Sequence, residues 1–246
     1  MTSLEHEHSA EAIHRRLAGA PAVSYLRDLV YGAIDGAVTT FAVVAGARGA
    51  DLGDSVVVIL GLANLFADGF SMAVSNYLGT RAERQQRERA RRIEERHVAE
   101  VPEGEREEVR QLFAAKGFGG DDLERVVDVI TADRRRWVDT MMREELGYGA
   151  DSGSALRAAA ATFAAFVVVG SVPLAVYLID VAAPGDVGHP FAWSAVLTAA
   201  AFFTVGAAKA RVVSQRWWRA GLETLAVGGA AAAVAYVIGV ALQGVG

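Results

Sequence analysis

Residues 26–72 read LRDLVYGAIDGAVTTFAVVAGARGADLGDSVVVILGLANLFADGFSM, two apolar runs joined by one short polar turn at 50–55. Each run is long enough to cross a hydrocarbon core, which takes roughly 20 helical residues. Acids interrupt both. Asp28 and Asp35 stand seven apart, two helical turns along one face. In the second run Asn64, Asp68 and Met72 fall at i, i+4 and i+8, again on one face. A carboxylate at mid-bilayer depth costs about 2.5–3.5 kcal/mol on insertion scales, so such residues mark ion or proton paths. The competing reading, two amphipathic helices of a soluble bundle, needs polar flanks that these runs lack.

Outward from this stretch, the composition is segregated. Of 246 residues 52% are hydrophobic and 22% charged. Residues 81–148 alone hold fifteen Lys/Arg and seventeen Asp/Glu, and the segments on either side are nearly free of charge. The pattern predicts an all-α membrane protein interrupted by one charged insertion. The expected divisions are an N-terminal tail (1–22), two transmembrane helices (23–80), the insertion (81–148) and three more transmembrane helices (149–246). The last three occupy 155–179, 191–208 and 220–242, with Pro173 kinking the first of them without ending it. Small residues crowd all three, which lets helices approach closely.

The net charge of −5 averages two unlike parts and says little about partners. The arginines of the insertion alternate with acids rather than forming a basic face, which argues against nucleic acid. No cysteine is present, so disulfides and thiolate metal sites are excluded. The N-terminus has no basic-then-apolar leader, and a cleaved signal peptide is not expected. Its Glu5, His6, Glu7, His8, Glu11 and His14 form a His/Glu-rich tract of a kind that can bind metal, but a short solvated helix or floppy tail is the favoured reading.

Basic residues set the expected orientation. The turn at 50–55 and the loop at 180–190 carry no Lys or Arg. Arg15, Arg16, Arg27, the arginine-rich insertion, Lys209, Arg211, Arg216 and Arg219 all fall on the opposite side. The positive-inside rule then places the N-terminus and the insertion in the cytoplasm and the C-terminus outside. The insertion itself reads as three helices: 81–99 continuing the second span, 103–116 after Pro102, and 121–146.

Within the insertion, side chains suited to divalent metal recur three apart: Glu94 with His97, Glu105 with Glu108, and Met142 with Glu145, with Met141 four before Glu145. Carboxylate plus imidazole suits Fe²⁺, Mn²⁺ or Zn²⁺, and thioether sulfur favours softer ions over Mg²⁺ or Ca²⁺. Each pair alone is a weak signal, since Glu-rich helices are commonly just solvated and Met141 and Met142 suit a core. In the membrane runs, Asp35 and Met72 lie at similar depth, with Asp28 nearer the cytoplasmic end. A carboxylate and a thioether there suit a partly dehydrated transition metal, and Asp35 can also take a proton. Lys209 and Glu223, near the cytoplasmic ends of their helices, are candidate relay residues or simply snorkel to the interface.

The blocks RDLVYGAIDGAVTTFAVVAG, ILGLANLFADGFSMAVSNYL, VPEGEREEV and WVDTMMREELG resemble the vacuolar iron transporter family, in a bacterial-type member. The resemblance covers residues 26 to about 147, more weakly the last three helices. It implies a homodimer of five-helix subunits with a pore at the interface and a cytoplasmic three-helix metal-binding domain. It further implies exchange of cytosolic Fe²⁺ and similar ions for protons. Asp28, Asp35 and Met72 match the family's pore residues. Glu94, Glu105, Glu108, Met141, Met142 and Glu145 match its cytoplasmic ligands. His97 and Asn64 each stand where the plant-type pattern has glutamate, and Asp68 appears one turn after Asn64.

The leading expectation is therefore a proton-coupled exporter of Fe²⁺, with Mn²⁺ and other divalent ions such as Co²⁺ and Zn²⁺, in a prokaryotic plasma membrane. It is not expected to be an enzyme. Two other readings compete: a membrane-anchored metal sensor or scaffold, and a di-iron oxidase built on Glu94/His97 and Glu105/Glu108. The anchor leaves buried aspartates unexplained, and the oxidase leaves Asp28, Asp35 and Met72 without a role.

Overall fold

A computed structural model describes residues 7–18, 23–149, 153–183, 187–210 and 215–243. Every regular element among them is an α-helix. In chain order these are α1 (Ala10–Ala18), α2 (Leu26–Gly49), α3 (Asp54–Glu100), α4 (Pro102–Ala115) and α5 (Gly120–Thr131). There follow α6 (Arg134–Glu144), α7 (Ala155–Gly170), α8 (Val172–Ala182), α9 (Pro190–Ala210) and α10 (Trp217–Ala241). The chain divides into two compact units: Ser24–Arg81 with Gly153–Gly246, and Ala82–Ser152 with Met1–Val23.

In the first unit α2, α3, α9 and α10 are each long and apolar enough to span a bilayer. The pair α7 and α8 makes a fifth span if taken together, across a 50° bend. The protein is thus a multi-pass membrane protein. At 47 residues α3 is about 70 Å long at 1.5 Å per residue. A hydrocarbon core is only about 30 Å thick, so the charged second half of α3 lies beyond it.

The bend corrects one expectation. Pro173 does not merely kink a continuous helix; α7 ends at Gly170 and α8 begins at Val172. Proline has no N–H to donate and its ring crowds the carbonyl four residues earlier. Ser171 fills the break, its N–H donating to the Val167 carbonyl and its hydroxyl to the Val168 carbonyl. The Pro173 carbonyl then accepts the buried Ser194 hydroxyl of α9 at 2.7 Å, which anchors the bend.

The core of this unit gathers around α2. Phe41, Val44 and Ala45 pack with Val57 and Leu65 of α3, Phe166 of α7, Leu174 and Tyr177 of α8, and Ala232 of α10. Glycines set how close the backbones come. A side chain on Gly36 would strike the Phe166 carbonyl of α7, and one on Gly239 would strike the Gly46 carbonyl of α2. Close approach of this kind is how membrane helices gain dispersion contacts without a hydrophobic driving force.

The second unit corrects another expectation. The single third helix predicted over 121–146 is two helices, α5 and α6, so the insertion is built from the end of α3 and three further helices. The break is at Asp133, which takes an extended backbone (φ −128°, ψ 119°) and caps α6 by accepting the Arg136 N–H at 2.7 Å. An N-capping aspartate satisfies an orphan donor of the new helix and stops the old one. Val98, Val109, Val127, Ile130, Trp137, Val138, Met141 and Met142 form the apolar core. Around it run ion pairs such as Arg91 with Asp139 and Arg110 with Glu124. Helix α1 buries no residue, and both Glu11 and His14 are exposed. Glu5 and His6 of the same tract lie outside the described residues.

Candidate metal centre and membrane carboxylates

In the second unit the metal-type side chains converge in part. Glu94 and His97 share a face of α3, because three residues make just under one turn. Val101 and Pro102 reverse the chain, so the first turn of α4 brings Glu105 back against that face. Ligand atoms of Glu94, His97 and Glu105 all lie within 4.8 Å of one another. His97 Nδ1 is 3.3 Å from Glu105 Oε1. Glu94 and Glu105 are only 4% and 3% exposed, which is rare for acids without a partner. One carboxylate oxygen of each, Oε2, is buried with no hydrogen-bond donor. Two orphaned carboxylate oxygens beside an imidazole are a donor set that a divalent cation would satisfy.

Electrostatics agree. Burial, then repulsion from Glu108 and Glu94, pushes the Glu105 carboxyl up to about 7, against a smaller opposing effect of His97. Glu145 is raised too, by burial and then by Glu94 and Glu108. Glu108 and Glu145 are thus close enough to act on the cluster, although both are exposed. Met141 and Met142 are 0% and 3% exposed and belong to the apolar core beside it.

In the membrane unit Asp28 is 8% exposed and Asp35 half-buried. Asp68 of α3, also half-buried, lies within electrostatic reach of Asp35. Asn64 is half-buried and its Nδ2 finds no acceptor. Met72 packs against the apolar core. Lys209, half-buried, lies in the last turn of α9, and Glu223 is exposed on α10; they form no ion pair with each other.

Three residues that the sequence reading passed over complete the picture at Asp28. Asn76 donates from Nδ2 to Asp28 Oδ1 at 2.9 Å and to Thr162 Oγ1 at 2.6 Å, and accepts the Thr80 hydroxyl at 3.3 Å. The signal was present, since Asn76 and Thr80 continue the four-residue spacing of Asn64, Asp68 and Met72. Thr162, on α7, carried no such mark.

Acids lodged in apolar spans and a carboxylate–imidazole cluster in the charged insertion characterise a multi-pass helical membrane protein. The chain belongs to the VIT family, whose model matches residues 26–240. Members of this family are transporters rather than enzymes. The chain is 36% identical over 225 residues to the "Vacuolar iron transporter" of Toxoplasma gondii, covering 89% of this chain and 74% of the relative. It is 31% identical over 242 residues to "Vacuolar iron transporter 1" of Arabidopsis thaliana, covering 98% and 95%. "Vacuolar iron transporter" of Plasmodium falciparum is 28% identical over 224 residues, covering 89% and 82%.

Proposed function

We propose that this chain is a proton-coupled antiporter that moves Fe²⁺, and with it Mn²⁺, out of the cytoplasm of a prokaryote across the plasma membrane. The observation that carries the reading is the Glu94–His97–Glu105 cluster with its two orphaned carboxylate oxygens, in a chain that also buries Asp28 and half-buries Asp35 in its spans. The names of the relatives supply iron as the first metal to test. Co²⁺ and Zn²⁺ suit the same ligands.

In this reading the insertion collects metal from the cytoplasm through Glu94, His97 and Glu105, with Glu108, Glu145, Met141 and Met142 nearby. The path through the bilayer runs along Asp28, Asp35, Asn64, Asp68 and Met72, and Lys209 and Glu223 are candidate relays. The cation moves by exchanging carboxylates, because each acid offers a charge that costs free energy to leave unpaired. Protons return through the same acids, since a carboxylate released by metal is the one free to bind H⁺. Two copies pair around the path. The N-terminus and insertion face the cytoplasm and the C-terminus faces outside. Arg48, just before the outer turn, is the one basic residue against this topology, and Asp51 stands 3.7 Å away to offset its charge. Arg211, part of the argument on the cytoplasmic side, lies outside the described residues.

Uptake of Fe²⁺ and Mn²⁺ into proteoliposomes tests the reading. Flux should rise when the lumen is made acidic and fall to the downhill rate when a protonophore collapses the gradient. Flux indifferent to the gradient removes the coupling; no flux removes the transporter.

A further inference from the structure

The hydrogen bonds around Asn76 have a direction that fixes its amide. Thr162, 1% exposed, gives its hydroxyl proton to the Ala158 carbonyl at 3.1 Å, so it meets Asn76 only as an acceptor. The Thr80 hydroxyl donates to the Asn76 carbonyl oxygen. Both hydrogens of Nδ2 are therefore committed, one to Thr162 on α7 and one to Asp28 on α2. Turning the amide over would set its oxygen against the Asp28 carboxylate and its nitrogen against the Thr80 hydroxyl. Three helices thus hold one nitrogen on one oxygen of a buried aspartate. Among the described residues Asp28 Oδ2 takes no hydrogen bond.

We propose that Asn76 is the positioning residue of Asp28: it restrains the carboxylate through Oδ1 and leaves Oδ2 to the passing cation. Asn76 faces Asp28 with its donor end, since both Nδ2 hydrogens are committed and its oxygen is turned to Thr80. Its effect passes entirely through Asp28. A freely rotating aspartate would have to be ordered at each encounter, and that cost would appear as weaker apparent affinity. The inference rests on the transport reading given above.

The test is a double-mutant cycle in proteoliposomes, with initial Fe²⁺ uptake measured against Fe²⁺ concentration. The variants are Asn76→Leu, which is close in size but has no donor, Asp28→Asn, and the two combined. Asn76→Leu should raise KM about tenfold and lower the maximal rate by less than threefold. Added to Asp28→Asn, it should change the remaining flux by less than twofold, because residues acting as a unit are non-additive. Losses that multiply across the cycle would show that Asn76 serves helix packing alone and would overturn the role. If Asn76→Leu does not elute as a single species, Asn76→Ala takes its place in the same cycle with the same criterion. Wild-type protein that carries no Fe²⁺ would fail the transport reading, and this inference with it; multiplying losses fail the inference alone.

Discussion

His97 Nδ1 and Glu105 Oε1 stand 3.3 Å apart between α3 and α4, eight residues apart in sequence and joined by a single turn at Val101–Pro102. That reversal brings together two elements that each carry only part of the candidate metal site. Because Glu105 is 3% exposed and repelled by Glu108 and Glu94, its negative charge is unfavourable in the folded protein.

Removing that charge should separate binding from stability. In Glu105→Gln the metal affinity falls at least about tenfold, the lower end of what even outer-shell partners cost a metal site. The metal-free protein at pH 7.5 becomes more stable, because a buried repelled carboxylate has gone. Calorimetric titration with Mn²⁺ and thermal unfolding of the same purified protein read both signs. A variant with lower affinity and lower metal-free stability would contradict the electrostatic picture.

The pH dependence follows from the same group. The Glu105 carboxyl sits at about 7 when folded, against an ordinary value of 4.5. Between those values the folded state holds more protons than the unfolded state, so stability of the metal-free protein falls as pH rises. Metal, which needs the carboxylate, binds more weakly as pH drops below about 7. Unfolding at pH 5 and pH 7.5, with and without saturating Mn²⁺, should show metal stabilising far more at the higher pH. Equal stabilisation at both would count against Glu105 as a ligand.

Asp35→Ala should reduce Fe²⁺ flux to the protein-free background while the protein elutes and unfolds as the wild type does. Asp35 is half-buried near the middle of α2, with Asp68 within electrostatic reach. Near-normal flux in this variant would rule out the membrane path described above.

Helix spacing gives a paired prediction on α10. Gly239→Ala places a methyl group against the Gly46 carbonyl of α2 and should destabilise by about 1–3 kcal/mol, as overpacking does. Gly229→Ala, on the same helix, meets nothing within 4 Å and should stabilise by about 0.5–1 kcal/mol through helix propensity. Thermal unfolding of the two variants compares them directly; a similar loss in both would show that α2 and α10 are not in close contact.

Much of this protein is written in its local pattern. Apolar runs of about twenty residues mark candidate spans, and acids placed inside them mark a candidate path, because the bilayer penalises each separately from any tertiary context. Helical spacing likewise paired Glu94 with His97, since residues three apart share a face wherever the helix is placed. What the pattern could not give was anything that depends on two helices meeting. Asp133 reads like any other acid in a charged segment until its side chain is seen capping α6, and Ser171 reads as part of a kinked span until the chain breaks there. Glu105 became the partner of His97, and Glu108 stayed exposed, because the turn at Val101 sets which face of α4 looks back at α3. Asn76 and Thr162 are 86 residues apart and meet only because α3 and α7 pack on the same end of α2. Such contacts are selected by the fit of whole helix faces, and that fit exists only once the chain has folded.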